Sequence, residues 1–155
     1  MDILVIILTK ELLETKVTEF IDILADEPHE YWKEEHFRLA LEHKYDFSVV
    51  AFSGSVIAGY IIASLKVDGP YIHKFFVRKE YRGKLVGERL LRFFEKNIIR
   101  KGFKSISLTV REDNPGAIKF YTKNKFEVSG TRTDKNDRSN LLIMKRNVET
   151  PEGNS

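Results

Sequence analysis

Apolar positions along this chain change spacing from segment to segment, and the spacing predicts the elements. Ile3 to Leu8 is a continuous β-rich apolar run and predicts a buried strand. From Glu11 to Leu24 the apolar residues Leu13, Val17, Phe20, Ile21 and Leu24 recur at helical spacing, so a first amphipathic helix is expected there. Asp26 to His29, with Pro28, breaks it. A second helix is expected from about Tyr31 to His43, with Trp32, His36, Leu39 and Ala40 on one side. Phe47–Phe52 and Val56–Leu65 read as strands joined by Ser53-Gly54-Ser55, a short hairpin signal. Val67-Asp68-Gly69-Pro70 marks a second turn, followed by a strand to Val77.

Leu85 to Arg100 carries the clearest helical stripe, Val86, Leu90, Phe93, Phe94, Ile98 and Ile99, closed by a basic last turn and Gly102. Ser105–Val110 reads as a strand. Asn114-Pro115 then opens a further helix to about Asn124, because Asn is a good N-cap and Pro suits the first helical position. Phe126–Arg132 and Asn140–Arg146 make a final hairpin around the polar tip Asp134–Ser139. The order β-α-α-β-β-β-α-β-α-β-β is that of a mixed α/β layer arrangement in one domain, residues 1–148, with a polar tail at 149–155.

Composition narrows the classes of function. The 155 residues, 42% of them hydrophobic, suffice for one core. The 26 basic and 23 acidic residues leave a formal charge of +3, a mild bias without a basic stripe, so no nucleic-acid partner is expected. There are no cysteines, which excludes disulfides, thiolate metal sites and a thiol nucleophile. No apolar run reaches membrane length and the first residues lack a basic n-region, so no membrane contact and a cytoplasmic location are expected. His29, His36, His43 and His73 do not form a metal-ligand pattern, and no metal is expected.

The most informative stretch is Phe75 to Leu91, FFVRKEYRGKLVGERLL: a strand, a tight basic turn with Arg82, Gly83 and Gly87, then a helix. Such a turn aims free N–H groups and the positive end of the helix dipole at one spot, which suits a phosphate. It is not a P-loop, since Gly83-Lys84 is followed by Leu85, and it lacks the Rossmann G-x-G-x-x-G. It resembles the pyrophosphate turn R/Q-x-x-G-x-G/A of the GNAT superfamily of acyl-CoA-dependent N-acetyltransferases. Arg82, Leu85 and Gly87 stand at its three defining positions, with Leu85 in place of the first glycine. A leucine there is expected to hold φ negative and to bring bulk near the pyrophosphate. A second segment, Leu108 to Phe126, resembles the other half of that family's cofactor site. Asn114, Ala117, Tyr121 and Phe126 match position by position, and Lys125 replaces the usual Gly. The likeness covers roughly Val49 to Met144.

The resemblance implies a GNAT fold, a mixed, mostly antiparallel sheet of about seven strands flanked by four helices. It also implies acetyl-CoA as co-substrate and transfer of an acetyl group to a primary amine of a small molecule or peptide. Backbone groups of Phe75, Phe76 and Val77 are then expected to pair with the pantetheine arm, and the amides of Val86, Gly87 and Glu88 to hold the pyrophosphate. Arg82, Gly83, Lys84, Leu85, Asn114 and Ala117 belong to the same cofactor site. Arg78 and Arg89 are looser phosphate candidates. Tyr121 is the candidate general acid for the leaving thiolate. His73, four residues before Val77 and so on the same strand face by alternation, is the candidate general base. Thr109 stands where peptide N-terminal acetyltransferases of the family often carry Glu. A homodimer through the last strands is possible by family analogy.

The acids Asp26, Glu27, Glu30, Glu34 and Glu35 lie between and along the first two expected helices, where carboxylates would draw in a cationic amine. Tyr31, Trp32 and Phe37 interleave with them and could line a pocket. The residues also leave open an acyl-CoA-binding module without turnover, in which Leu85 and Lys125 mark a degraded site.

Overall fold

The computed structural model describes residues 2–25, 27, 30 and 32–148. The expected break at Asp26, Pro28 and His29, the position of Tyr31 and the tail at 149–155 lie outside these. Seven strands form one sheet: β1 (Ile3–Ile7), β2 (Val49–Ser53), β3 (Val56–Lys66), β4 (Gly69–Val77), β5 (Ser105–Arg111), β6 (Glu127–Thr133) and β7 (Asn140–Asn147). Their order is β1-β2-β3-β4-β5-β7-β6, antiparallel throughout except for the parallel pair β4–β5.

Both faces of the sheet carry apolar side chains, because strands β2 to β4 are covered on each side. One face packs Ile61, Ala63, Ile72, Leu108 and Met144 against Leu90, Phe94 and Ile98 of α4 (Val86–Arg100). Helix α5 (Pro115–Lys123) lies on this side too, through Ala117, Ile118 and Phe120. The opposite face packs Tyr60, Ile62 and Phe76 against Leu13, Val17 and Phe20 of α1 (Lys10–Asp22) and against Phe37. The fully buried Tyr60 keeps its phenol satisfied by donating to the Phe20 carbonyl at 3.1 Å.

Asn capping and a polar clasp fix α5 at its two ends. The Asn114 side chain accepts from the Ala117 amide at 3.2 Å. At the other end Arg92 of α4 donates to Asn124 Oδ1 at 2.5 Å and Arg146 of β7 donates to the Asn124 carbonyl at 2.6 Å. Buried Glu95 pairs with both arginines, at 2.7 and 3.0 Å.

The second expected helix is not continuous, so among the described residues five α-helices flank the sheet instead of four. The chain forms α2 (Glu34–Arg38) and α3 (Lys44–Phe47) with a non-helical stretch between them. Leu39 has ψ 132, which ends α2, and the buried Lys44 ammonium takes the Phe37 and Leu39 carbonyls that a continuing helix would have used. Leu39 and Ala40 are consequently exposed, and Phe37 fills the core position. Phe47, expected to begin a strand, closes α3 as a buried residue.

Candidate functional site: a cleft between diverging strands

Strands β4 and β5 are paired only at Tyr71–Ser107 and Ile72–Leu108. Beyond these they part, and among the described residues the outer edge of β4 over Phe75, Phe76 and Val77 meets no neighbouring strand. That edge offers unpaired backbone groups, a template for strand-like addition of an extended amide-bearing ligand. A cleft of about 740 Å³ opens there. Its walls are the end of β4, the turn before α4, the first turn of α4 and the inner side of α5.

The turn is built to receive an anion. Gly83 has φ +74 and Leu85 φ +67, with Lys84 between them outside the positive-φ set. Alternation of this kind turns successive N–H groups toward one side as a nest. Thr9 caps α1 and Asn114 caps α5, but no side chain caps the N-terminus of α4, whose first backbone acceptor, Leu85 O, bonds Arg89 N. The amides of Val86, Gly87 and Glu88 thus have no intrahelical partner, and these residues line the cleft at the positive end of the helix dipole. A Cβ on Gly87 would sit 3.3 Å from the Phe120 ring, so the glycine lets α5 close onto α4.

Leu85 corrects the sequence expectation. It does not hold φ negative; it takes the left-handed conformation that suits glycine, and although it lines the cleft the residue is 63% exposed. The turn keeps its shape at the expense of strain. Leu85→Gly is therefore expected to stabilise the fold by about 1 kcal/mol in urea denaturation while coenzyme A binding is retained. An unchanged or lower urea midpoint would show that the turn is not strained.

Arg82, Gly83, Leu85, Val86, Gly87, Glu88, Asn114, Ala117 and Tyr121 all line the cleft with Phe75, Phe76 and Val77. Lys84 and Arg89 are exposed and are not part of its lining. Arg78 faces elsewhere: it donates to the Ile57 carbonyl at 3.0 Å and reaches Glu19 at 3.5 Å, pinning the end of β4 to α1. Phe120, missed at the level of sequence, stands edge-on to Phe75 at 5.6 Å and completes the inner wall. Its spacing of three from Ala117, on the same helix face, was the available signal.

Tyr121 sits among Phe75, Phe120 and Phe126, with ring centroids 5.5 to 6.0 Å away. Burial raises its phenol above the ordinary value of 10.0. Among the described residues no hydrogen-bond partner of the phenol is found, so the O–H is available to a ligand.

His73 does not join this group. The β3–β4 register shifts between Ile62–Lys74 and Ala63–Ile72, which leaves His73 as the extra residue of a bulge. Alternation is broken there, so the expected shared face with Val77 is lost. His73 instead meets Ser64 at 2.6 Å and the Tyr71 ring at 4.9 Å, on the side of Tyr60 and Ile62. Burial, then Lys66 and Lys44, hold its pKa at about 4. The unfolded chain takes up this proton near 6.5 and the folded one only near 4, so this group's contribution falls as pH drops through that window. Between pH 7 and pH 5 His73→Gln is expected to lose about 2 kcal/mol less stability than the parent chain, read from urea midpoints at each pH. Equal losses would show that the imidazole is not held neutral.

The acids expected to attract an amine are mostly engaged. Glu27 and Glu30 line the cleft, but Glu27 meets Arg82 at 2.9 Å and Glu30 is paired with Lys74. Glu34 pairs with Arg38 at 2.6 Å and Glu35 is exposed. Asp26 and Tyr31 lie outside the described residues. Trp32 stands edge-on to buried Phe37 at 4.9 Å. Among the described residues no group of three or more His, Cys, Asp or Glu could hold a metal, and no helix is long and apolar enough to cross a membrane.

The model of the acetyltransferase (GNAT) family matches residues 17–126. The chain belongs to this family. As a GNAT enzyme it is an acetyl-CoA-dependent N-acetyltransferase, and the uncapped helix mouth, the nest and the free strand edge fit the diphosphate and pantetheine parts of that co-substrate. It is 30% identical to an acetyltransferase of Sodalis glossinidius over 72% of this chain and 73% of that one. It is 29% identical to a spermidine N(1)-acetyltransferase of Thermoplasma acidophilum over 62% of this chain but only 56% of that relative. The fold is that of the ribosomal-protein-S18-alanine N-acetyltransferase of Escherichia coli, with a TM-score of 0.81 over 99% of both chains at 18% identity.

Proposed function

We propose that the protein transfers the acetyl group of acetyl-CoA to a primary amine of a small molecule or peptide, with Tyr121 as the general acid. One observation carries the reading: the helix mouth at Val86 to Glu88 and the Tyr121 phenol line a single cleft along the free edge of β4. The turn amides would hold the diphosphate and the β4 edge the pantetheine amides. The thioester end then reaches toward Ile72 and Leu108, where β4 and β5 part.

The amine attacks as a free base, since an alkylammonium has no lone pair, and at neutral pH that form is a small fraction of a group with pKa about 10.4. Nitrogen bonds to the carbonyl carbon, the C–S bond breaks, nitrogen releases its proton to water, the thiolate takes one from Tyr121, and the phenoxide regains one from water. His73 is not assigned the base role, because it is not among the residues that line the cleft and is a weak base. The reading without turnover finds no support in Leu85, whose left-handed backbone preserves the turn.

The similarity to a spermidine acetyltransferase on one side and to a ribosomal-protein-alanine acetyltransferase on the other supports amines of both kinds as acceptors to test. The deciding experiment is a screen of polyamines, amino acids and peptides with acetyl-CoA, read as free-thiol release. Release above the amine-free rate with one acceptor class names the substrate; no release across the panel, with coenzyme A bound, overturns turnover.

A further inference from the structure

Four carboxylates, Glu27, Glu30, Glu88 and Asp113, line a cleft that has to admit a diphosphate, and Asp113 is paired with Arg111 at 3.0 Å. Glu30 and Glu88 are matched by Lys74 and Lys123, neither of which belongs to the phosphate turn. Glu27 differs: its partner is Arg82, the cation of the turn itself, at 2.9 Å. The Glu27 side chain is mostly sheltered, 17% exposed against 45% for Arg82. Arg82 is meanwhile held in place by its own Nε, which donates to the Val77 carbonyl at 2.9 Å, and by the Phe76 ring 5.5 Å below its guanidinium. Of its two terminal nitrogens, Nη2 is given to Glu27.

We propose that Glu27 is an internal competitor of the cofactor diphosphate: it occupies Arg82 across the cleft and sets the affinity for coenzyme A. The inference rests on the acetyl-CoA cleft assigned above. A diphosphate forms stronger charge-assisted bonds to a guanidinium than one carboxylate does, and it also gains the turn amides, so it displaces Glu27. Glu27 lies in the connection from α1 to α2, whereas Glu30, three residues on, stays with Lys74, whose ammonium lies 5.6 Å over the Trp32 ring. By linkage, whatever releases Glu27 from Arg82 tightens coenzyme binding by the same factor.

The test is titration of the full chain with coenzyme A by calorimetry, with melting curves as a check on folding. Glu27→Gln is expected to tighten coenzyme A about fivefold, the equivalent of one exposed to half-buried ion pair. Glu27→Asp, with the charge on a shorter arm, is expected to show a smaller gain in the same direction, and it decides the matter if the Gln variant does not fold. In an Arg82→Gln background Glu27→Gln should have no effect. The gain should also be absent when S-acetylpantetheine, which has no diphosphate, is the acyl donor. A Glu27→Gln affinity within about twofold of the parent, or weaker, would overturn the competition and leave the cleft assignment standing. Failure of the parent chain to bind coenzyme A at all would overturn both.

Discussion

Replacing Tyr121 by Phe is expected to lower kcat about 10²-fold, with the KM for acetyl-CoA little changed. The substitution removes one oxygen and keeps the ring, so contacts with Phe75, Phe120 and Phe126 survive and the fold should not suffer. What the substitution removes is a proton held ready: burial raises the phenol pKa, so Tyr121 is protonated at neutral pH. A departing thiolate has a pKa near 8.5 and leaves tolerably without help, which puts the effect at the lower end of the range for general acids. Thiol release at saturating amine and cofactor is the measurement. Undiminished turnover would remove Tyr121 from the acid role, and a change confined to KM would reduce it to a wall of the cleft.

Gly59→Ala is expected to be the most damaging small change to the scaffold, at about 3 kcal/mol in urea denaturation. A Cβ there would lie 2.6 Å from the Phe76 carbonyl oxygen and 3.1 Å from both Val77 Cα and Leu90 Cδ1. The nearest of these is backbone and cannot rotate away. Gly59 pairs directly with Val77, so the displaced segment is the free edge of β4 that the cleft uses. Any variant protein that folds should therefore also bind coenzyme A more weakly. A urea midpoint like that of the parent would mean that β3 and β4 have slack at this point.

Much of this architecture was legible because local pattern and tertiary environment agree. The α4 stripe is regular and the helix forms where the stripe lies; Asn114-Pro115 starts α5 as expected. The turn from Arg82 to Gly87 and the segment from Asn114 to Tyr121 together disclosed the cleft, since both motifs report on backbone geometry at one ligand. Other features depend on contacts distant in sequence. The 31–43 segment has helical periodicity, but Lys44 reaches back to the Phe37 and Leu39 carbonyls and divides it. His73 was assigned its face by counting, and one extra residue in the β4 ladder reverses the count. A bulge of this kind leaves no mark in composition. Leu85 shows the reverse: residue type argued against a left-handed turn, and the surrounding chain imposes it.

The clasp on α5 bears on how such an enzyme diversifies. Its start is set by Asn114 and its end by the Arg92–Glu95–Arg146 group, none of which belongs to the β6–β7 tip or to the α1–α2 segment. The β6–β7 tip is therefore expected to tolerate exchange while Tyr121 keeps its station.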